Sequence, residues 1–70
     1  MLPQELDGVT VLIDVPESTV KAGEVGTIVA IRRAPDRRLV YTIEVARPDD
    51  YGGMAGGELV DLDSTQFGLD

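Results

Sequence analysis

Alternating apolar and polar positions dominate this chain, and a period of two predicts β-strands. The first run, V-T-V-L-I-D-V at residues 9–15, is rich in β-branched side chains, which favour strands. A later run at residues 39–46 alternates most regularly. Its predicted inner face is Leu39, Tyr41, Ile43 and Val45, and its outer face is Val40, Thr42, Glu44 and Ala46. We expect Glu44 to pair across strands with Arg32 or Arg33.

Residues 21–33, K-A-G-E-V-G-T-I-V-A-I-R-R, allow two interpretations: a glycine-rich phosphate cradle before a helix, or a turn that leads into a strand. A cradle requires a helix after its glycines, whereas T-I-V-A-I follows Gly26 and is mostly β-branched. We therefore predict a strand with Thr27, Val29 and Ile31 facing the core. Gly23 and Gly26 are then expected to supply a positive φ or a bulge at the turn.

The remaining segments complete an all-β pattern. A-P-D-R at residues 34–37 predicts a hairpin tip, and the glycine-rich residues 47–57 predict a loop. Residues 58–62 predict a fourth strand and residues 68–70 a fifth. Between them, residues 63–67 predict one helical turn capped by Asp63 or Ser64. The expected fold is a single SH3-like barrel over residues 1–70, with about five short strands and one short helical turn before the last.

Small size limits the core of this protein. A chain of 70 residues forms one small domain, and folding removes only about 60% of the surface of a chain near this length. The sequence has no cysteine or histidine, which excludes a disulfide and the usual structural zinc site. We therefore expect additional support from self-association or from a larger protein partner.

Charge is distributed unevenly. The chain has 13 acidic against 6 basic residues, a net charge of −7, which disfavours nonspecific binding to nucleic acid or anionic membranes. Arg32, Arg33, Arg37 and Arg38 are accompanied only by Asp36, so residues 32–38 carry 4 − 1 = +3 and the rest 2 − 12 = −10. This basic segment is interpreted either as a solvated hairpin tip or as a contact for an acidic protein surface, including another copy of the chain. A nucleic-acid contact is a third alternative, disfavoured by the acidic remainder of the chain and by the lack of nearby aromatic residues apart from Tyr41.

Catalytic and metal-binding patterns are absent from the sequence. Without histidine or cysteine, the commonest general base and the thiol nucleophile are missing, and the carboxylates are scattered. The pairs Asp49 with Asp50 and Asp61 with Asp63 lack the regular ligand spacing of a calcium loop. We predict no catalytic residue, no cofactor, no metal ion and no small-molecule substrate.

The glycine-rich segment at residues 47–57 is the most unusual feature of the sequence. It places Tyr51 and Met54 among four glycines. One interpretation is a surface loop. The other is a binding loop in which a flexible backbone presents an aromatic ring and a thioether to a partner, since both side chains suit protein interfaces.

Several motifs resemble a family of short bacterial proteins of unknown function with SH3-like barrel folds. They are E-L-D at residues 5–7 with Val9 and Val11, P-E at 16–17, A-G-E-V-G-T-I-V at 22–29, and Tyr41 with I-E-V at 43–45. The glycine turn is also shared with the KOW modules of ribosome-associated proteins. The resemblance covers residues 5–45 and implies the fold, but no catalytic residues. Residues 47–57 are longer and richer in glycine than the usual connection of that family.

These observations predict a non-catalytic protein-interaction module that self-associates or binds a larger protein. Alternatives are an accessory subunit of an enzyme and an antitoxin- or immunity-like inhibitor. The N-terminus lacks the basic start and apolar run of a signal peptide, and no apolar run approaches the roughly 20 residues of a membrane span, so we expect a cytoplasmic protein. The predicted partner-binding residues are Arg32, Arg33, Arg37, Arg38, Tyr51 and Met54.

Overall fold

A computed structural model describes residues 2–48 and 54–70, and all regular structure in these residues is β-strand. The strands are β1 (Gly8–Val11), β2 (Val25–Arg33), β3 (Leu39–Pro48), β4 (Met54–Leu62) and β5 (Phe67–Leu69). The prediction of an all-β chain with five strands is confirmed. Within the described residues, no helix is long and apolar enough to cross a membrane.

The five strands form one antiparallel sheet in the order β4-β3-β2-β1-β5. Strands β1 to β4 are neighbours in chain order, as consecutive strands commonly are. Strand β5 returns to the far side of β1, where Phe67 lies opposite Val11 and Leu69 opposite Val9. The first and last strands are therefore paired with each other, and β5 forms one edge of the sheet.

The core lies on one face of this sheet. Its buried members are Val9, Val11, Val20, Ile28, Tyr41, Ile43, Val45, Val60, Leu62 and Phe67. The rings of Tyr41 and Phe67 pack edge to face, with centroids 5.1 Å apart and planes at 73°. Burial of Tyr41, Ile43 and Val45 confirms the predicted inner face of the third strand.

Strand β2 has a bulge that reverses its predicted phase. Ile28 lies opposite Ile43 but Ala30 lies opposite Thr42, so Val29 is an extra residue without a partner of its own. Ile28 is fully buried, whereas the Val29 side chain is 38% exposed, and the prediction that Val29 faces the core is wrong. Because the bulge shifts the alternation by one residue, Ile28 and Ile31 both pack against the core.

The two glycines before β2 have different roles. Gly23 has a φ of +93°, as predicted, and allows the chain to turn. Gly26 lies inside β2 and does not have a positive φ. A glycine is needed there because the neighbouring strand packs closely against it. A Cβ at Gly26 would lie 2.7 Å from both Ile43 Cγ2 and the Glu44 carbonyl oxygen. The strand interpretation of residues 21–33 is confirmed, since β2 begins at Val25.

The predicted loop at residues 47–57 is wrong at both of its ends. Strand β3 continues to Pro48 and β4 begins at Met54, and these two residues lie opposite each other in the ladder. Pairing between long neighbouring strands outweighs the low strand propensity of the glycines at 56 and 57. Tyr51 lies outside the described residues, and Met54 is a strand residue rather than a loop residue.

The helical turn predicted before the last strand is also wrong. Residues 63–66 form a tight turn in which the Gln66 N–H donates to the Asp63 carbonyl oxygen at 3.1 Å. Asp63 does accept a backbone hydrogen bond as predicted, from the Thr65 N–H at 2.8 Å. A helix cannot propagate here because the chain must enter β5 at Phe67 to pair with β1.

Candidate functional site

An open cleft of about 420 Å³ lies where the hairpin between β2 and β3 approaches the turn between β4 and β5. Strand ends and the tight turn supply its walls, so the sheet fixes the position of each side chain. The lining residues are Arg32, Arg38, Leu39, Val40, Asp61, Asp63 and Gln66. Two of the four arginines predicted to bind a partner are therefore in this cleft.

One wall of the cleft is a hydrogen-bonded row across three strands. Thr42 of β3 lies opposite Ala30 of β2 and Asp61 of β4, which brings the Arg32 side chain within reach of the acid. Arg32 Nη2 lies 2.8 Å from Asp61 Oδ2, and Thr42 Oγ1 donates to Asp61 Oδ1 at 2.7 Å. The hydrogen bonds from Arg32 and then Thr42 lower the pKa of the Asp61 carboxyl below its ordinary value.

This row corrects the expected partner of Glu44. Arg32 pairs with Asp61, 29 residues away along the chain, and not with Glu44. Glu44 is exposed and lies opposite Thr27 on one side and Leu59 on the other. Arg32 lies opposite Val40, four residues before Glu44 on β3, and at about 3.3 Å per residue this distance of about 13 Å is too long for the two side chains to pair.

The opposite wall comes from the hairpin tip. Asp36 accepts hydrogen bonds from the Arg38 N–H at 3.1 Å and from Arg38 Nε at 2.7 Å. These backbone and side-chain bonds lower the pKa of Asp36. The Arg38 guanidinium therefore lines the cleft with one edge already paired with a carboxylate.

The turn between β4 and β5 forms the end of the cleft and satisfies its own polar groups. Gln66 Oε1 accepts from the Asp63 N–H at 3.0 Å. Hydrogen bonds from the side chain and then the backbone of Thr65 lower the pKa of Asp63. With two guanidiniums and two carboxylates in its lining, the cleft has a balanced formal charge.

The remaining two predicted arginines do not line the cleft. Strand alternation places Arg33 on the face opposite Arg32, and Arg33 Nη1 donates to the Arg37 carbonyl oxygen at 2.9 Å. Arg37 has a φ of +72° at the hairpin tip and an exposed side chain. Neither guanidinium forms an ion pair with a residue that the structure describes. The predicted basic cluster is thus divided between two surfaces.

Met54 lies far from this cleft along the same strand. It is at the start of β4, seven residues before Asp61, which at about 3.3 Å per residue is a distance of about 23 Å. The structure does not bring Met54 together with Arg32 and Arg38. Tyr51 cannot be placed because it lies outside the described residues.

A second polar cluster, not predicted from the sequence, lies near the other end of β3. Arg47 Nη1 is 2.8 Å from Glu24 Oε1, and Arg47 Nη2 is 4.0 Å from Glu58 Oε1. Glu58 also accepts from the N–H and hydroxyl of Thr19. The hydrogen bond from Arg47 lowers the pKa of Glu24, and those from Thr19 lower the pKa of Glu58. These half-buried groups connect the loop between β1 and β2 to the hairpin formed by β3 and β4.

Acidic side chains elsewhere do not gather into a further cluster. In the part of the chain that the structure describes, no group of three or more carboxylates is arranged to hold a metal ion. Asp61 and Asp63, which are close in sequence, are engaged by Arg32 and Thr65 respectively.

Comparison with protein-family models, with curated proteins and with solved structures finds no match for this chain. The resemblance to short bacterial barrel proteins therefore stays a prediction based on the sequence motifs. The features that bear on function are the geometry of the cleft and of the strand edges next to it.

Proposed function

We propose that this chain is a non-catalytic, cytoplasmic protein-interaction module that self-associates or docks on a larger protein through the cleft. The observation that supports this most directly is the composition of the cleft. Half-buried Leu39 and Val40 provide apolar surface, and fixed ion pairs surround it. An apolar centre with a polar rim is the usual composition of a protein interface.

The electrostatics of the cleft suit recognition better than proton transfer. A general acid at neutral pH needs a raised carboxyl pKa, whereas the pKa values of Asp61 and Asp63 are lowered by hydrogen-bond donors. Arg32 and Arg38 each lie against a carboxylate, which orients their hydrogen-bond donors. A partner that matches this pattern of charges gains specificity without ordering mobile side chains.

Charge balance also argues for protein rather than nucleic acid as the partner. A phosphate-binding surface requires excess positive charge, whereas Asp36, Asp61 and Asp63 offset the two guanidiniums of the cleft. The net charge of −7 adds long-range repulsion of a polyanion. A protein surface carrying both signs of charge around an apolar group complements this cleft.

The test is photo-crosslinking from the cleft. A photoreactive residue at Val40 is compared with one at Thr10, which lies on β1 away from the cleft, in cells and in purified protein over a concentration series. We expect Val40 to give one discrete adduct, either with a second copy or with a larger protein. Purified partner should then bind Val40→Asp at least about tenfold more weakly than wild type, as for a central interface residue.

Two outcomes would contradict the proposal. One is equal crosslinking from both positions, with a monomer at every concentration in sedimentation. The other is hydrolysis or group transfer by the purified chain. If a partner is captured, its own activity distinguishes an accessory subunit, which raises or supports that activity, from an inhibitor, which abolishes it.

A further inference from the structure

Strand β2 is longer than β1, its neighbour on one side, so β1 covers only the first part of it. Its first half pairs with β1 as far as Gly8 opposite Thr27. The N-terminal segment makes the last contact, where the Leu6 N–H donates to the Ile28 carbonyl oxygen at 2.7 Å and the Ile28 N–H donates to Asp7 at 3.0 Å. Beyond the bulge, residues 29–33 pair with β3 on one side only, as far as the described residues show.

The hydrogen-bond register identifies which backbone groups face the open side. The Ala34 N–H donates to the Arg38 carbonyl oxygen at 2.8 Å and closes the hairpin. Bonded and non-bonded pairs alternate along an antiparallel ladder. The N–H and C=O groups of Ile31 and Arg33 therefore point away from β3. They form a short unpaired edge, and such an edge can accept another strand.

Positive charge marks this edge. Arg32, Arg38 and Arg47 each have a carboxylate oxygen within 2.8 Å, whereas Arg33 and Arg37 make no ion pair with any described residue. Arg33 is the last residue of the unpaired edge, and its guanidinium donates to the backbone carbonyl oxygen of Arg37 in the adjacent hairpin tip. The edge strand β4, in contrast, carries the acids Glu58 and Asp61.

Apolar side chains lie near the other end of the same edge. Val29 is extruded by the bulge and 38% exposed, and Leu6, beside Ile28, is 81% exposed. Leu6 also has a φ of +72°, a conformation that costs free energy for a side chain with a Cβ. The chain thus holds an exposed leucine in a strained position at the point where the cover of β2 ends.

From these features we propose that the open edge of β2, residues 29–33, binds an extended acidic segment of a partner protein as an additional strand. Backbone bonds to Ile31 and Arg33 hold the segment, and its carboxylates meet Arg33 and Arg37. Apolar residues of the segment contact Val29 and Leu6. This inference deepens the proposed function, on which it rests, by naming the chemistry of the partner and a second contact surface.

The first test uses a short, end-capped peptide that alternates glutamate with valine and threonine, titrated into the full chain by NMR. We expect the amide resonances of Ile31 and Arg33 to move downfield and their hydrogen exchange to slow. Replacing glutamate with lysine should weaken binding at least about tenfold, because attraction becomes repulsion. Two further peptides, N-methylated on alternate residues in opposite phases, should differ: only the phase whose N–H groups face β2 loses binding.

Variants of the protein separate charge from backbone pairing. Arg37→Glu should weaken binding of the glutamate peptide at least about fivefold. Lys21→Glu makes the same change of charge on the loop between β1 and β2, and it should change the affinity less than about twofold. Arg33→Pro removes an N–H from the open edge and should bind more weakly than Arg33→Ala, which removes only the side chain. Amide spectra check that each variant is folded.

The results distinguish this inference from the proposed function. The edge proposal fails if both N-methylated peptides bind equally, if shifts fall only on the cleft residues Arg38 and Leu39, or if no glutamate peptide binds. It also fails if a labelled DNA single strand binds wild type and is lost in Arg37→Glu, which would make the edge a nucleic-acid contact. If Val40 gives a discrete adduct but no peptide binds at the β2 edge, the proposed interaction module stands and only the edge proposal is wrong.

Discussion

The two halves of strand β2 differ in almost every physical property although they are continuous in sequence. Residues 25–28 lie between β1 and β3, and Ile28 is buried in the core. Residues 29–33 are covered on one side, expose Val29 and end in two arginines. The bulge at Val29 marks the boundary. Among the described residues, one strand therefore has neighbours on both sides of its first half and an unpaired side along its second half.

Substitution of Ile28 and of Val29, which are adjacent at this boundary, should give the largest difference in the free energy of unfolding. Ile28→Ala is expected to lower the free energy of unfolding by about 2–5 kcal/mol, because it leaves a cavity in a small core. Val29→Ala should lower it by less than about 0.5 kcal/mol, as for an exposed side chain. Urea unfolding followed by circular dichroism measures both. Equal losses would show that the bulge does not separate buried from exposed positions.

A smaller effect is expected from adding a methyl group within the first half. Gly26→Ala should destabilise the fold by about 1–3 kcal/mol, because the new Cβ overlaps backbone and Ile43 in a packed region. Gly68→Ala is the matched control, since no atom lies within 4 Å of its added Cβ. It should be neutral or slightly stabilising. If thermal unfolding of the two variants is the same, close packing at Gly26 is not the reason for that glycine.

Acid should loosen the anchor of the first half. Glu24 immediately precedes β2, and its pKa is lowered by the hydrogen bond from Arg47, so the ionised form stabilises the folded chain. This stabilisation is complete above the ordinary glutamate pKa of about 4.3 and is lost as the pH falls through the lower folded value. Glu24→Gln should flatten the pH dependence of the melting temperature in this acidic range. Glu5→Gln, at an exposed position, is the control for the removal of one acidic side chain.

A small effect on stability is also expected from a backbone change in the second half. Arg33→Pro should change the free energy of unfolding by less than about 1 kcal/mol, because its N–H points to the open edge, where proline is tolerated. Arg32→Pro should cost clearly more, since it removes a ladder bond to β3 and the pair with Asp61. Chemical denaturation of both proteins compares them directly. Similar losses of stability in the two variants would show that the Arg33 N–H does not point to the open side of β2.

The sequence predicted the strands better than it predicted their exceptions. The third strand alternates cleanly because only one of its faces is buried, so Tyr41 and Ile43 could be assigned inward. In β2 both phases are apolar, and nothing in the order of residues marks Val29 as the extra one. Glycines at residues 56 and 57 predicted a loop, but pairing along the neighbouring strand decided their conformation.

The candidate site could be predicted only in part. A cluster of arginines is visible in the sequence, but its division depends on strand alternation and on the hairpin register. Arg32 finds Asp61 because Thr42 lies between them in the sheet, a relation across three strands that spacing does not reveal. The Arg47 cluster was missed for the same reason: its partner Glu24 lies 23 residues away along the chain.

The pairing of β5 with β1 has a consequence for folding of the chain during its synthesis on the ribosome. The hairpins formed by β2, β3 and β4 join neighbouring segments and can close early, since short loops lose little entropy. Strand β1 obtains its second neighbouring strand only when Phe67 pairs with Val11 and Leu69 pairs with Val9. Until Phe67 and Leu69 have left the exit tunnel, Tyr41 lacks its aromatic neighbour and Val9 lacks its partner on the β5 side of β1. The core is therefore completed only after β5 has been made, although the strands β2, β3 and β4 that precede it can already be paired.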